Sequence, residues 1–211
     1  MNHLTLKKIV NRWEINEILI ILIHKTAQGI DNLVKMIPNI GLGTSRITDQ
    51  NILDDLLPSA IRYGYRHIDT AYSYDNEKQI GNTLKQMMSN NTIKRDDIFI
   101  TSKVWSTFHS RPKVVEAIRM SLSKLDLDYL DLALIHWPMA YIENTTELVP
   151  KHLNGSTIDV NISVIETWKG MEDAFYLGLT KRIGVSNFNS NQLTRIMKEA
   201  RIKPVVNQVL F

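Results

Sequence analysis

LDLALIHWP, residues 130–138, is the stretch that decides the fold. From 130 to 136 it reads as an apolar run, broken by Asp131 and ended by His136, without the alternation of a strand that has one wet face. A run of this kind reads as a strand buried on both faces. Such strands are parallel and are joined by helical crossovers, so helices should flank this one in sequence. Upstream, Pro112 suits a first helical turn with Ser110 as its cap. Val115, Ile118, Leu122 and Leu125 continue that helix at helical spacing. Downstream, a long polar loop over 139–163 leads to a helical pattern over 164–177.

Further out, the alternation continues in both directions. Toward the N-terminus come a strand over 98–104, a helix over 76–89 carrying Ile80, Leu84 and Met87 on one face, and a strand over 65–71. Before these, 51–64 reads as a helix with Ile52, Leu56, Ala60 and Ile61 on one face. Pro58 lies inside that pattern and predicts a kink or a later start. A short apolar run with two glycines covers 40–44. Toward the C-terminus come a strand over 182–186, a helix over 191–200 and a last strand over 205–210. The fold class is therefore α/β with a parallel sheet. An open doubly wound sheet and a closed (β/α)8 barrel both fit, and both place chemistry at the C-terminal strand ends.

Composition narrows the function. The chain has 211 residues, enough for one domain with a sizeable core. Its 25 basic and 22 acidic residues are scattered and leave a net charge of +3. That argues against a nucleic-acid partner. The absence of cysteine excludes disulfides, thiol nucleophiles and thiolate metal sites. The apolar run 18–23 in INEILIILIH is far shorter than the ~20 residues of a membrane span and short for a secretory signal. A cytoplasmic protein without a membrane anchor is expected. The N-x-S/T triplets, such as Asn144–Thr145–Thr146, then carry no glycan.

The strand ends carry titratable and polar groups. Asp69, Lys103, His136 and the pair Ser186–Asn187 stand at the ends of successive strands, and Gln208 lies in the last. Tyr74 follows Asp69 on the loop leaving the same strand. This set suits carbonyl reduction. Hydride transfer leaves negative charge on the carbonyl oxygen, and a general acid must protonate it. A tyrosine, ordinarily titrating near ~10, can serve if an ammonium stabilises its phenolate. A carboxylate holds the ammonium in place, and a histidine orients the oxygen. Other chemistries lack their motifs. Gly41 and Gly43 open no dinucleotide fingerprint, because Arg46 stands where the third glycine should be. No metal site is expected. His3 and His109 lack partners at ligand spacing and read as surface residues.

Six segments together resemble the aldo-keto reductase family: NIGLGT at 39–44, GYRHIDTAYSYDNEKQIG at 64–81, ITSKVW at 100–105, LALIHWP at 132–138, IGVSNF at 183–188 and VNQV at 206–209. The resemblance implies a (β/α)8 TIM-type barrel and NADPH-dependent reduction of aldehydes or ketones. It places Tyr74 as proton donor, Lys103 and Asp69 as its support, and His136 as the residue that orients substrate. Thr44, Asp69, Ser186, Asn187 and Gln208 would contact NADPH. Trp105 and Trp137 would line the substrate pocket with His136. The partner implied is a small carbonyl compound, and the expected state is a monomer. Two departures are expected to matter. Residues 1–35 read as an atypical extension before the barrel segment 36–211, with VKMIP at 34–38 similar to the exit of the family's floor hairpin. The sequence also reaches only about six of eight β/α units, without the last two strands, the aromatic that stacks on the nicotinamide, and the basic segment that grips the 2′-phosphate. The barrel is thus expected to be incomplete and its NADPH affinity weak. A non-catalytic binding or regulatory barrel, or an inactive reductase fragment, is the alternative.

Overall fold

The computed structural model describes residues 20–22, as backbone, and 37–209. His3 and 34–36 of VKMIP lie outside the described residues. Among the described residues, seven strands form one sheet in strictly sequential order: β1 (Ile20–Leu22), β2 (Ile40–Gly43), β3 (His67–Asp69), β4 (Phe99–Val104), β5 (Leu132–Ile135), β6 (Ile183–Ser186) and β7 (Asn207–Gln208). β1 runs antiparallel to β2, and every later pairing is parallel. A doubly wound sheet reverses its strand order at a switch point. This one never does, which is the order of a barrel. The six parallel strands curl into a half-barrel, an incomplete (β/α)8 architecture. Residues 20–22, within the segment read as an extension, add a strand to its edge.

Among the described residues, five α-helices connect the strands: α1 (Gln50–Arg62), α2 (Glu77–Ser89), α3 (Arg111–Leu125), α4 (Val164–Tyr176) and α5 (Ser190–Glu199). Their apolar stripes pack on the outward side chains of the sheet, such as Leu42, Ile68, Ile100, Val104, Ala133, Ile135, Ile183 and Val185. The α3–α4 contact is close because of Gly170, where a Cβ would stand 2.6 Å from the Arg111 carbonyl oxygen. Among the described residues no helix is long and apolar enough to cross a membrane.

Several sequence expectations are corrected. Pro58 stays inside α1, and the helix starts early because Asp49 accepts from the Asn51 and Ile52 amides. The buried stripe of α1 runs through Leu53, Leu56, Leu57, Ala60 and Ile61, leaving Ile52 only partly covered. Ser110 precedes α3 but does not cap it with its side chain, since its hydroxyl donates to Glu143 at 2.7 Å. His109 is not a surface residue: it is 1% exposed, and neither ring nitrogen has a hydrogen-bond partner. Burial holds its pKa down at about 4.

Candidate active site

Strand alternation places His67 and Asp69 on the inner face of β3, and Thr101 and Lys103 on the inner face of β4. Asp69 pairs in register with Thr101, so the Lys103 side chain needs only to lean back to meet it. Lys103 Nζ forms an ion pair with Asp69 Oδ1 and donates to the Thr70 carbonyl at 3.0 Å. Both side chains are 1% exposed. A buried pair of this kind carries a desolvation cost that its attraction scarcely offsets, so it is poor evidence of a stabilising role and better evidence of a chemical one. Burial pushes the Asp69 carboxyl up from the usual carboxylate range, against the pull of Lys103. Asp69 Oδ2 and Gln208 Oε1 are both buried without a hydrogen bond of ordinary geometry, although the Gln208 amide lies close enough to favour the Asp69 charge.

Tyr74 ends a single 3-10 turn, Tyr72–Tyr74, on the loop leaving β3. Its ring centroid lies 5.0 Å from Lys103 Nζ. His136 follows β5 directly and donates its backbone N–H to the Val104 carbonyl at 3.0 Å. The imidazole is edge-on to Tyr74, at 5.6 Å and 80°, and to Trp105, at 5.2 Å and 76°. It stacks loosely on Trp137 at 6.3 Å. Burial first, and the Lys103 ammonium second, lower the His136 pKa to about 3. The ring is therefore neutral at physiological pH and can act as a hydrogen-bonding group without adding charge. Ser73 Oγ approaches His136 Nδ1 at 3.4 Å, a weak contact that bears on which ring nitrogen carries the proton.

The remaining polar residues gather at the same mouth. Asn187 adopts φ 61°, and its Nδ2 donates to the His136 carbonyl at 3.0 Å and to Ser186 Oγ at 3.1 Å. Ser186 pairs in register with Gln208 across β6 and β7. Thr44 is buried, and its hydroxyl ties to the Asp69 carbonyl at 2.9 Å. The loop over 139–163 crosses the rim, where the Leu148 carbonyl accepts from Trp105 Nε1 at 2.6 Å. Glu143 fastens that loop to the start of α3 through the Ser110 amide and hydroxyl, both at 2.7 Å. Trp105 and Trp137 are half-buried beside His136. Among the described residues, no cluster of three His, Asp or Glu is placed to hold a metal.

Four contributors escaped the sequence reading. Ser73 and Glu143 act through contacts 63 and 33 residues away, which no local pattern reveals. Asn76 and Glu77 are buried polar residues at the start of α2, where sequence suggests ordinary helix-start chemistry. Their only visible signal is their place within the 64–81 segment.

Comparison with known proteins identifies relatives of the chain as a whole. The profile of the Aldo/keto reductase family matches residues 39–211. Aldose reductase C of Dictyostelium discoideum is 46% identical over 178 residues, covering 82% of this chain and 55% of its own length. Aldose reductase of Encephalitozoon cuniculi is 42% identical, covering 83% and 57%. Among solved structures, the aldose reductase of Schistosoma japonicum superposes with a TM-score of 0.79 at 42% identity, over 83% of this chain and 57% of that one. The chain thus spans about half the length of the relatives it matches. With the family profile running through every strand from β2 to β7 and close relatives at more than 40% identity, this chain belongs to the aldo/keto reductase family.

Proposed function

We propose that the chain carries the reducing centre of an NADPH-dependent carbonyl reductase, acting on small aldehydes or ketones. The observation that carries this reading is the buried Lys103–Asp69 pair set beside Tyr74 and a neutral His136. The aldose reductase names of its relatives support a small carbonyl substrate.

The chemistry follows from these side chains. As a carbonyl is reduced, its oxygen gains negative charge, and Tyr74 delivers a proton to it. The Lys103 ammonium then stabilises the phenolate left behind, and Asp69 keeps that ammonium in place. His136, neutral and wedged between Tyr74 and Trp105, hydrogen-bonds the substrate oxygen without competing for the proton. Trp105 and Trp137 give the substrate apolar walls. Ser186, Asn187 and Gln208 fit a nicotinamide carboxamide, because they offer a hydroxyl and amides together with the unpartnered, buried Gln208 Oε1. Thr44 and Asp69 stand at the same mouth. A reduced nicotinamide held there supplies the hydride.

Aldehyde-dependent NADPH oxidation by the full-length protein, at NADPH concentrations that saturate even a weak site, tests the reading. Tyr74→Phe should lower kcat by about 10²- to 10⁴-fold, the usual worth of a general acid. Wild-type turnover retained by Tyr74→Phe, or no turnover in the wild type, overturns it.

A further inference from the structure

α2 begins with two buried polar residues that the reaction itself does not use. Asn76 is 0% exposed and Glu77 1%. Asn76 stands at the cap position, yet its side chain makes no hydrogen bond to the helix. It faces the loops instead. Nδ2 donates to the Thr44 carbonyl at 2.7 Å and to the Ile47 carbonyl at 2.9 Å, while Oδ1 accepts from Thr70 Oγ1 at 2.7 Å. Both amide protons are thereby used.

Those three partners belong to the two strand exits that matter most. Thr44 and Ile47 lie on the turn leaving β2. Thr70 directly follows Asp69, and its carbonyl accepts from Lys103 Nζ at 3.0 Å. Tyr74 lies two residues before Asn76 on the same loop. One side-chain amide therefore joins the β2 exit to the loop that carries Tyr74, and through Thr70 it reaches the ammonium. Glu77 holds from the opposite side. Its Oε1 accepts from Ser102 Oγ at 2.6 Å, and Ser102 is the outward-facing neighbour of Lys103 on β4. The start of α2 is thus fastened to the exits of β2 and β3 and to β4 itself.

We propose that Asn76 is a positioning residue for Tyr74 and Lys103, fixing the 70–75 loop against β4 with Glu77 as the second anchor. The kinetic part rests on the reductase reading, and the geometric part stands without it. A helix cap alone would not need two donors aimed at another loop's carbonyls. A substitution that keeps the shape but removes the donors leaves the buried Ile47 carbonyl unpaired and the Thr44 carbonyl with only the Ile47 N–H. Misplacing a proton donor by about 1 Å can cost roughly 10²-fold in rate.

The test pairs kinetics with amide hydrogen exchange on the whole chain, using Asn76→Asp, Glu77→Gln and Thr70→Val. Asn76→Asp should lower kcat about 100-fold while the aldehyde KM changes less than about threefold. Exchange should quicken about tenfold at 40–48 and 70–76 and stay unchanged in β5. Glu77→Gln and Thr70→Val should show the same local pattern more weakly. If Asn76→Asp does not fold, Thr70→Val carries the test, because it removes only one hydrogen bond. Wild-type kcat and exchange in the folded variants overturn the proposal. So does a loss of protection that spreads evenly into β5, which marks a purely structural role. Local loosening in the variants of a chain whose wild type shows no turnover upholds the brace and sinks the reductase reading instead.

Discussion

The two faces of the sheet are built on opposite terms. The outer face, toward the helices, is a mainly apolar layer running from Leu42 to Val185, interrupted by the buried Ser102–Glu77 hydrogen bond and closed by Leu53, Leu57, Leu84, Ile118, Trp168 and Met171. Among the described residues, the inner face holds a small apolar cluster, Ile37, Phe99, Leu132, Leu134, Val205 and Val206. Around that cluster sit buried polar groups: His67, Asp69, Thr101, Lys103, His136, Arg182 and Ser186. Outer burial stabilises at roughly 25 cal/mol per Å² of apolar area. Inner burial strips water from charged groups and offsets much of that gain. One face holds the fold together, and the other keeps a buried charge pair at the C-terminal strand ends, where the proposed reduction would take place.

The sharpest way to break this contrast is to split the pair. Lys103→Met leaves the Asp69 carboxyl buried and unpartnered, and should lower stability by about 4 kcal/mol in urea unfolding, with turnover abolished. Adding Asp69→Leu should return most of that stability but none of the activity. A double variant as unstable as the single one would mean the pair is structural. Next in size is the outer face. Leu57→Ala removes a fully buried side chain and should cost about 3 kcal/mol by the same measurement. An equal loss of kcat in the surviving folded protein would blur the division between the faces.

Acid sharpens the contrast further. Burial, aided by Lys103, lowers the His67 pKa to about 3, and burial lowers that of His109 to about 4. Unfolded, both take a proton near 6.5. Between those values the unfolded chain binds more protons than the folded one, so stability falls as pH drops below about 6.5. The slope is at most about 1.4 kcal/mol per pH unit for each histidine. His67→Asn should flatten the slope of unfolding free energy against pH, and an unaltered slope would remove His67 from the account. The smallest effect belongs outside both faces. The Lys85–Asp126 ion pair lies largely in solvent, and Lys85→Met should leave the unfolding midpoint where it was.

The outer face was largely legible in the sequence, because burying one stripe imposes a period. Ile80, Leu84 and Met87 lie where their spacing puts them, and the apolar run at β5 is a strand buried on both faces. Pro58 misled only because Asp49 supplies a cap strong enough to begin α1 before it. The inner face was legible through its strand-end residues, and these do converge on one mouth. Its supports were not. Asn76 reads only as the first residue of a helix, Ser110 reads as a cap, and His109 reads as exposed. In each case the deciding partner, or the lack of one, lies in tertiary contacts that leave no periodic trace.

The unbroken strand order has a kinetic consequence. Among the described strands, each from β2 onward docks on the one made just before it. Pairing of this kind keeps loop-closure entropy low and favours fast, stepwise assembly. The widest interval lies between Leu134 and Gly184, which pair across the 139–163 loop. Docking of β6 on β5 is therefore the step most exposed to delay, and a growing chain on the ribosome should pause there with Leu134 and the His136 side uncovered.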